Sequence, residues 1–323
     1  MPKGYHHLTY SIRCQIYALK ARGDSLRAIG RTLGVHHTNI GRELRRNSDL
    51  NGYCYETAHS KAIRRRHLAP NKRLTPKIIT VIENRIRLQW SPVQISGWLK
   101  RHAKDHVSHE TIYQHIWRNK RKGGLLYKDL RRKGKKYNKR SKVNAGRGCI
   151  PGRVDIDQRP EIVEEKTRLG DWELDTIIGA GHRGAIVSMV ERRSKLTKLV
   201  VVPNKTAQNI ETALIEKLRP LKKFVYTLTS DNGKEFANHQ SVGSKLDAGF
   251  YFAKPYQSWQ RGLNEHTNGL IRQYFPKGQS FINIPPQAIE RVEMLLNTRP
   301  RKILNFETPL ETFTRLSSNM VQS

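Results

Sequence analysis

Three acids define the chemistry open to this chain. Asp175 lies between Leu174 and Thr176 in an apolar run of strand character, where a charge is costly unless it faces a cleft or a cation. Asp231 stands in Ser230-Asp231-Asn232-Gly233, just after the run 225–229, and so emerges at the carboxyl end of a strand, where α/β folds place their ligands. Glu265 follows 34 positions later in a helical stretch. Three hard oxygen donors and no thiolate suit Mg²⁺ or Mn²⁺ rather than zinc. Two such ions per site would activate an attacking oxygen and stabilise a leaving one at phosphorus, so the expected reaction is phosphoryl transfer. Each acid also has an ordinary reading, as a strand-edge charge, a turn-forming Asp before Asn-Gly, or a solvated helix residue. Their order and their elements favour one shared site. Asp171 and Glu173 lie on the same strand; Glu173 shares the face of Asp175 and is expected to support it.

The elements that must position these acids are legible as periodicities. Residues 172–178, 185–191 and 197–202 read as three strands, the first two joined by Gly179-Ala180-Gly181. A helix at 206–219, a strand at 225–229, a helix at 235–246, a strand at 249–253 and a helix at 260–274 complete the series. This is the element order of an RNase H-like α/β domain, a mixed five-stranded sheet flanked by helices, assigned to 161–317. Order alone is weak evidence, because many α/β folds share it.

The 323 residues carry a net charge of +33, and most of it lies in residues 1–150. So basic a front half implies a polyanionic partner, double-stranded DNA being the usual one. Within 1–50, Thr9 and Ser25 are expected N-caps and Gly34 a tight turn into a third helix near 37–46. That pattern is a helix-turn-helix, with Ile40 and Leu44 inward and His37, Asn39, Arg42, Arg45 and Arg46 available to base edges and phosphates. A second such unit is expected in 70–120, opened by Thr75-Pro76, Ser91-Pro92 and Ser108, with His109, Gln114, Arg118 and Lys120 outward. A three-helix bundle with a solvated basic face is the alternative for each. Residues 121–160 read as a basic linker interrupted by glycines, suited to lying along phosphates or to being a solvated tether.

No stretch of 18 apolar residues can span a bilayer, so an anionic membrane surface is the weaker reading of the charge. The amino terminus lacks the apolar segment of an export signal, which leads us to expect a cytoplasmic protein bound to the nucleoid. Cys14, Cys54 and Cys149 are far apart and suggest neither a disulfide framework nor a zinc site.

Several runs resemble the insertion sequence 30 family of bacterial DDE transposases. They are Gly170-Asp171-Trp172-Glu173-Leu174-Asp175, Ser230 to Phe236, and the highly specific run from Trp259 to Gly278. Leu296-Asn297-Thr298-Arg299-Pro300-Arg301-Lys302 followed by Thr308-Pro309 looks like the closing motif of that family, and the amino-terminal helix-turn-helix matches as well. The resemblance implies catalytic and metal-binding roles for Asp175, Asp231 and Glu265, with Arg261, Asn264 and Arg272 as expected DNA contacts and Glu173 and His266 nearby. Leu174 stands where glycine is frequent, and His266 where asparagine is frequent. It further implies recognition of terminal inverted repeats, cleavage to a 3′ hydroxyl and joining of that hydroxyl to target DNA, without ATP or a covalent protein-DNA link. Two ends must be synapsed, so a homodimer or larger assembly is expected on DNA. A DNA-binding regulator without catalysis, and a nuclease that cuts without joining, are the alternatives.

Overall fold

The computed structural model describes residues 8–68, 74–102, 106–131, 150–254 and 262–322. The chain divides into two compact units, Met1–Lys72 and Arg73–Ser323. The first contains helices α1 (Tyr10–Ala21), α2 (Leu26–Leu33), α3 (His37–Asn47) and α4 (Tyr55–Leu68). Thr9 and Ser25 cap α1 and α2 by accepting from the amides of Ile12 and Ala28, and Gly34 ends α2 in the left-handed region at φ 63°. Ile16, Ile29 and Ile40 are wholly buried between the first three helices. α4 packs on α1 and α3.

The second unit opens with α5 (Pro76–Arg87), α6 (Pro92–His102) and α7 (His109–Arg121), whose apolar faces meet at Ile82, Ile86, Ile95, Leu99, Ile112 and Ile116. Thr75 and Ser108 cap α5 and α7 as their positions suggest. Residues 126–129, expected as part of a linker, form instead a 3₁₀ turn that buries Leu126 in this core and lays Tyr127 under the Lys120 ammonium. Burial of Leu126, with Tyr127 and Leu130 packed against the same core, outweighs the glycines before it. Residues 132–149 of that expected linker lie outside the described residues.

After a short α8 (Ile162–Glu165) comes the sheet: β1 (Asp171–Ile178), β2 (Ala185–Glu191), β3 (Thr197–Val202), then α9 (Ala207–Leu218), β4 (Thr227–Ser230), α10 (His239–Leu246), β5 (Gly249–Phe252), α11 (Gly262–Tyr274), α12 (Pro286–Asn297) and α13 (Pro309–Gln322). The strand order is β3-β2-β1-β4-β5, antiparallel from β1 to β3 and parallel from β1 to β5. This is the mixed five-stranded RNase H-like sheet expected from the element order. Strand alternation sends Trp172, Leu174, Val187 and Met189 to one face, under α9, α10 and α13, and Ile177, Ile186 and Leu199 to the other, under α11 and α12. β4 starts two residues later than the apolar run 225–229 suggests, because Val225 ends a 3₁₀ turn.

Candidate active site

Asp175 sits where β1 outruns its parallel partner. β1 and β4 pair as far as Glu173 and Thr229; Asp175 lies two residues beyond that pair within β1, and Asp231 two residues beyond it on the chain leaving β4. Both are half-buried. Asp231 accepts from the Gly233 amide at 3.0 Å, the local turn that an Asp-Asn-Gly sequence favours. Asp175 accepts from the Thr176 amide at 3.0 Å and from the Asn268 side-chain amide at 2.6 Å. The Asn268 oxygen in turn accepts from the Ser188 hydroxyl at 3.3 Å, and Ser188 is the cross-strand partner of Asp175. A third acid is adjacent: buried Glu235 accepts from the Thr176 hydroxyl at 2.9 Å, with Lys205 at 3.7 Å.

α11 lies against β1 and β2. Its sheet-facing residues recur at helical spacing: Asn264 donates to the Leu174 carbonyl, Asn268 to Asp175, and Arg272 to the Ile178 carbonyl. Glu265, exposed near the start of this helix, lies three residues before Asn268 and therefore on a neighbouring part of its surface. Among the described residues, no three His, Cys, Asp or Glu side chains converge closely enough to hold a metal ion. The hard oxygen donors fit a divalent cation by their chemistry; Glu265 would have to close on the aspartates for the three to share one.

Glu173 is buried two positions from Asp175 and faces the Arg192 guanidinium at 3.4 Å. Asp171 is tied down by both oxygens to Arg168 and by one to Thr227, a structural role. His266 is exposed over part of its surface; desolvation of the covered part of its ring, then the nearby Arg301, Arg131 and Arg299, lowers its pKa and favours the neutral imidazole. Asn264 departs from the expectation of a DNA contact: it is 1% exposed, and its amide is spent on the backbone of β1. Arg272 is partly buried, lying over Phe281 and bound to the end of β1. Arg261 lies outside the described residues. Asn268, Ser188 and Glu235 are the neighbours that sequence reading misses. The four-residue spacing from Asn264 to Asn268, one helical turn past Glu265, is the signal that would have found the first.

In the first unit Arg42, Arg45 and Arg46 on α3 are exposed, while His37 and Asn39 are half-buried. α3 is fixed from behind by a buried ion pair, Arg13 to Glu43 at 2.7 Å, with the Tyr53 hydroxyl at 3.4 Å. His109, Gln114, Arg118 and Lys120 are exposed on α7, as their spacing suggests. Lys120 covers the rings of Trp117 and Tyr127. Among the described residues no helix is long and apolar enough to cross a membrane.

Comparison with known proteins agrees with this architecture. Residues 4–47 match a helix-turn-helix domain family. The chain is 45% identical over 313 residues to the transposase for insertion sequence element IS4351 of Bacteroides fragilis, covering 96% of each chain. It is 37% identical to the transposase for IS1086 of Cupriavidus metallidurans, over 98% of this chain and 96% of that one. It is 33% identical to transposase InsI for IS30A of Escherichia coli K12, over 96% of this chain and 84% of that one. Among solved structures, the catalytic core domain of BIV integrase aligns with 47% of this chain and 97% of its own at 21% identity, with a TM-score of 0.36. With a helix-turn-helix that binds DNA at its front and near-full-length likeness to these transposases, the chain belongs to the insertion sequence 30 family of DNA transposases.

Proposed function

We propose that this transposase cuts and joins DNA strands at a site built from Asp175, Asp231 and Glu265, with Mg²⁺ or Mn²⁺ as cofactor. The observation that supports this reading is that Asp175 and Asp231 each lie two residues beyond the last paired residues of the parallel strands β1 and β4, with α11 anchored to Asp175 through Asn268. The ions, when bound, would supply charge neutralisation at the scissile phosphate and an activated water or 3′ hydroxyl. The protein's own part is orientation. Asn268 holds the Asp175 carboxylate, the Gly233 amide holds that of Asp231, and the start of α11 is the element from which Glu265 would close on both. Glu173, paired with Arg192, keeps a second charge beneath Asp175 from being left uncompensated.

The helix-turn-helix of the first unit, with Arg42, Arg45 and Arg46 outward, suits recognition of the inverted repeats at the ends of the element, and α7 offers a second surface. The division into 1–50, 70–120 and 161–317 assigns binding to the front and chemistry to the back. A homodimer or larger assembly would bring two ends together.

The test uses DNA from the borders of the protein's own gene. Asp175→Asn, Asp231→Asn and Glu265→Gln should each abolish Mg²⁺-dependent nicking and strand joining while leaving the gel shift of end DNA intact. Retained nicking in any one variant removes that residue from the site.

A further inference from the structure

The closing motif Arg299-Pro300-Arg301-Lys302 is not used by the reading above, yet it places two cations in an unusual setting. Arg299 is only 2% exposed. Its Nη1 donates to the Gln273 side-chain oxygen at 3.0 Å and its Nη2 to the Tyr274 hydroxyl. Arg301 donates to the Leu296 carbonyl at 3.1 Å. All of these acceptors are neutral. Among the described residues no carboxylate pairs with either guanidinium, and the Nε of each is buried without a hydrogen-bond partner. Arg131 joins them from the turn after α7: its Nη2 would lie 2.4 Å from a β-carbon built on Gly269, so the absence of a side chain there lets the guanidinium rest on α11. Burial lowers the Arg299 pKa, with Arg131 adding to the effect, and burial together with repulsion from Arg299 draws Arg301 down to about 10. Buried like charges without a counterion are expensive unless an anion completes the site.

These cations line a cleft of about 1580 Å³ between α7 and the face of α11 that carries Leu263, His266 and Gln273. Small-molecule pockets span roughly 300–1,000 Å³, so this volume suits a segment of a polymer better than a metabolite. Of the acids that line the cleft, Glu164 pairs with Arg159 and Arg192 and Asp157 with Lys254. With Glu161 the remaining acid, Arg131, Arg299, Arg301 and the lysines leave the lining net positive.

We propose that Arg131, Arg299 and Arg301 form a phosphate subsite that holds the backbone of a DNA strand along α11, the helix that carries Glu265. The ligand is a phosphodiester of DNA: Arg131 and Arg301 would donate to it, while Arg299, its two Nη groups already spent on Gln273 and Tyr274, contributes positive potential. This inference rests on the reading of α11 as the helix that meets DNA, but its test needs no cleavage. Binding of the full-length protein to a labelled duplex from the border of its gene is measured in EDTA between about 50 and 200 mM salt. Each of Arg131→Gln and Arg301→Gln should weaken binding and reduce the slope of log K against log salt by about 0.9, the value for one lost phosphate contact. Lys223→Gln, exposed and outside the cleft, is the reference for an ordinary surface charge. Arg131 is exposed, so its variant should fold even if Arg301→Gln does not.

Slopes in the arginine variants that match wild type, or that fall no further than in Lys223→Gln, would overturn the proposal. So would stabilisation by inorganic phosphate that depends on these arginines while the DNA slope does not, since the site would then take the free ion. Because the slope is read in EDTA, it reports on the subsite alone, while loss of Mg²⁺-dependent nicking in Asp175→Asn reports on the carboxylate reading alone, so failure of one is distinguishable from failure of the other.

Discussion

At the scale of single residues, Asn268 has the most to reveal. Its amide fixes one carboxylate oxygen of Asp175, and Ser188 fixes the amide, so the aspartate is oriented through two hydrogen bonds before any ion arrives. Partners of this kind typically change metal affinity or activity by about 10–100-fold when removed. Asn268→Leu should therefore raise the Mg²⁺ concentration needed for half-maximal nicking by roughly that factor, while circular dichroism and DNA binding stay near wild type. An unchanged Mg²⁺ dependence would make Asn268 a packing residue. Lys195 offers a pH test. Burial draws its pKa down to about 8, with Lys166 and Arg192 adding to the shift and Glu191 opposing it. The folded state thus sheds this proton more readily than the unfolded chain does, so stability should rise with pH between about 8 and the ordinary lysine value near 10.4. Compared with Lys195→Met, the wild-type melting temperature should climb across that window; parallel curves for the two proteins would refute the assignment.

At the scale of elements, the front helix-turn-helix depends on two close fits. A β-carbon on Gly30 would lie 2.7 Å from the Val35 carbonyl and 3.2 Å from the His37 amide, both backbone atoms that cannot swing aside. Gly30→Val should lower the melting temperature of this unit and weaken end binding together, and a variant as stable as wild type would show that the turn relaxes freely. Glu43→Ala would strand the buried Arg13, a change worth about 3–5 kcal/mol, enough to unfold a small three-helix core. The legibility of each element follows from its chemistry. Caps at Thr9, Ser25, Thr75 and Ser108, the left-handed Gly34 and the alternation of β1 to β3 all act locally, so sequence reveals them. The elements that sequence reading passes over, α4, α12 and α13, are defined by contact. α4 has a polar surface and packs against α1, and α12 lies on β3 through Glu293, which accepts from Lys198 and the Leu199 amide. The candidate acids stand out because charge in a strand and after a strand is anomalous; Asn268 and Glu235 do not, because only the packing of α11 and the turn after β4 gives an amide or a fourth acid a neighbour.

At the scale of the whole molecule, the +33 charge and the two compact units make separable predictions. Removing Met1–Lys72 should erase the preference for the element's own ends while Arg73–Ser323 still melts cooperatively, because each unit has its own buried core. A truncated protein that still selects its own ends over random DNA would place recognition elsewhere. The central claim concerns three carboxylates from β1, the end of β4 and α11 that must share cations although Glu265 is exposed and not yet grouped with the aspartates. Anomalous diffraction from crystals of the protein bound to end DNA and Mn²⁺ tests it directly. Manganese peaks are expected within coordination distance of Asp175, Asp231 and Glu265, with Asn268 still on Asp175. Manganese bound elsewhere, or bound by the aspartates with Glu265 turned away, would contradict it.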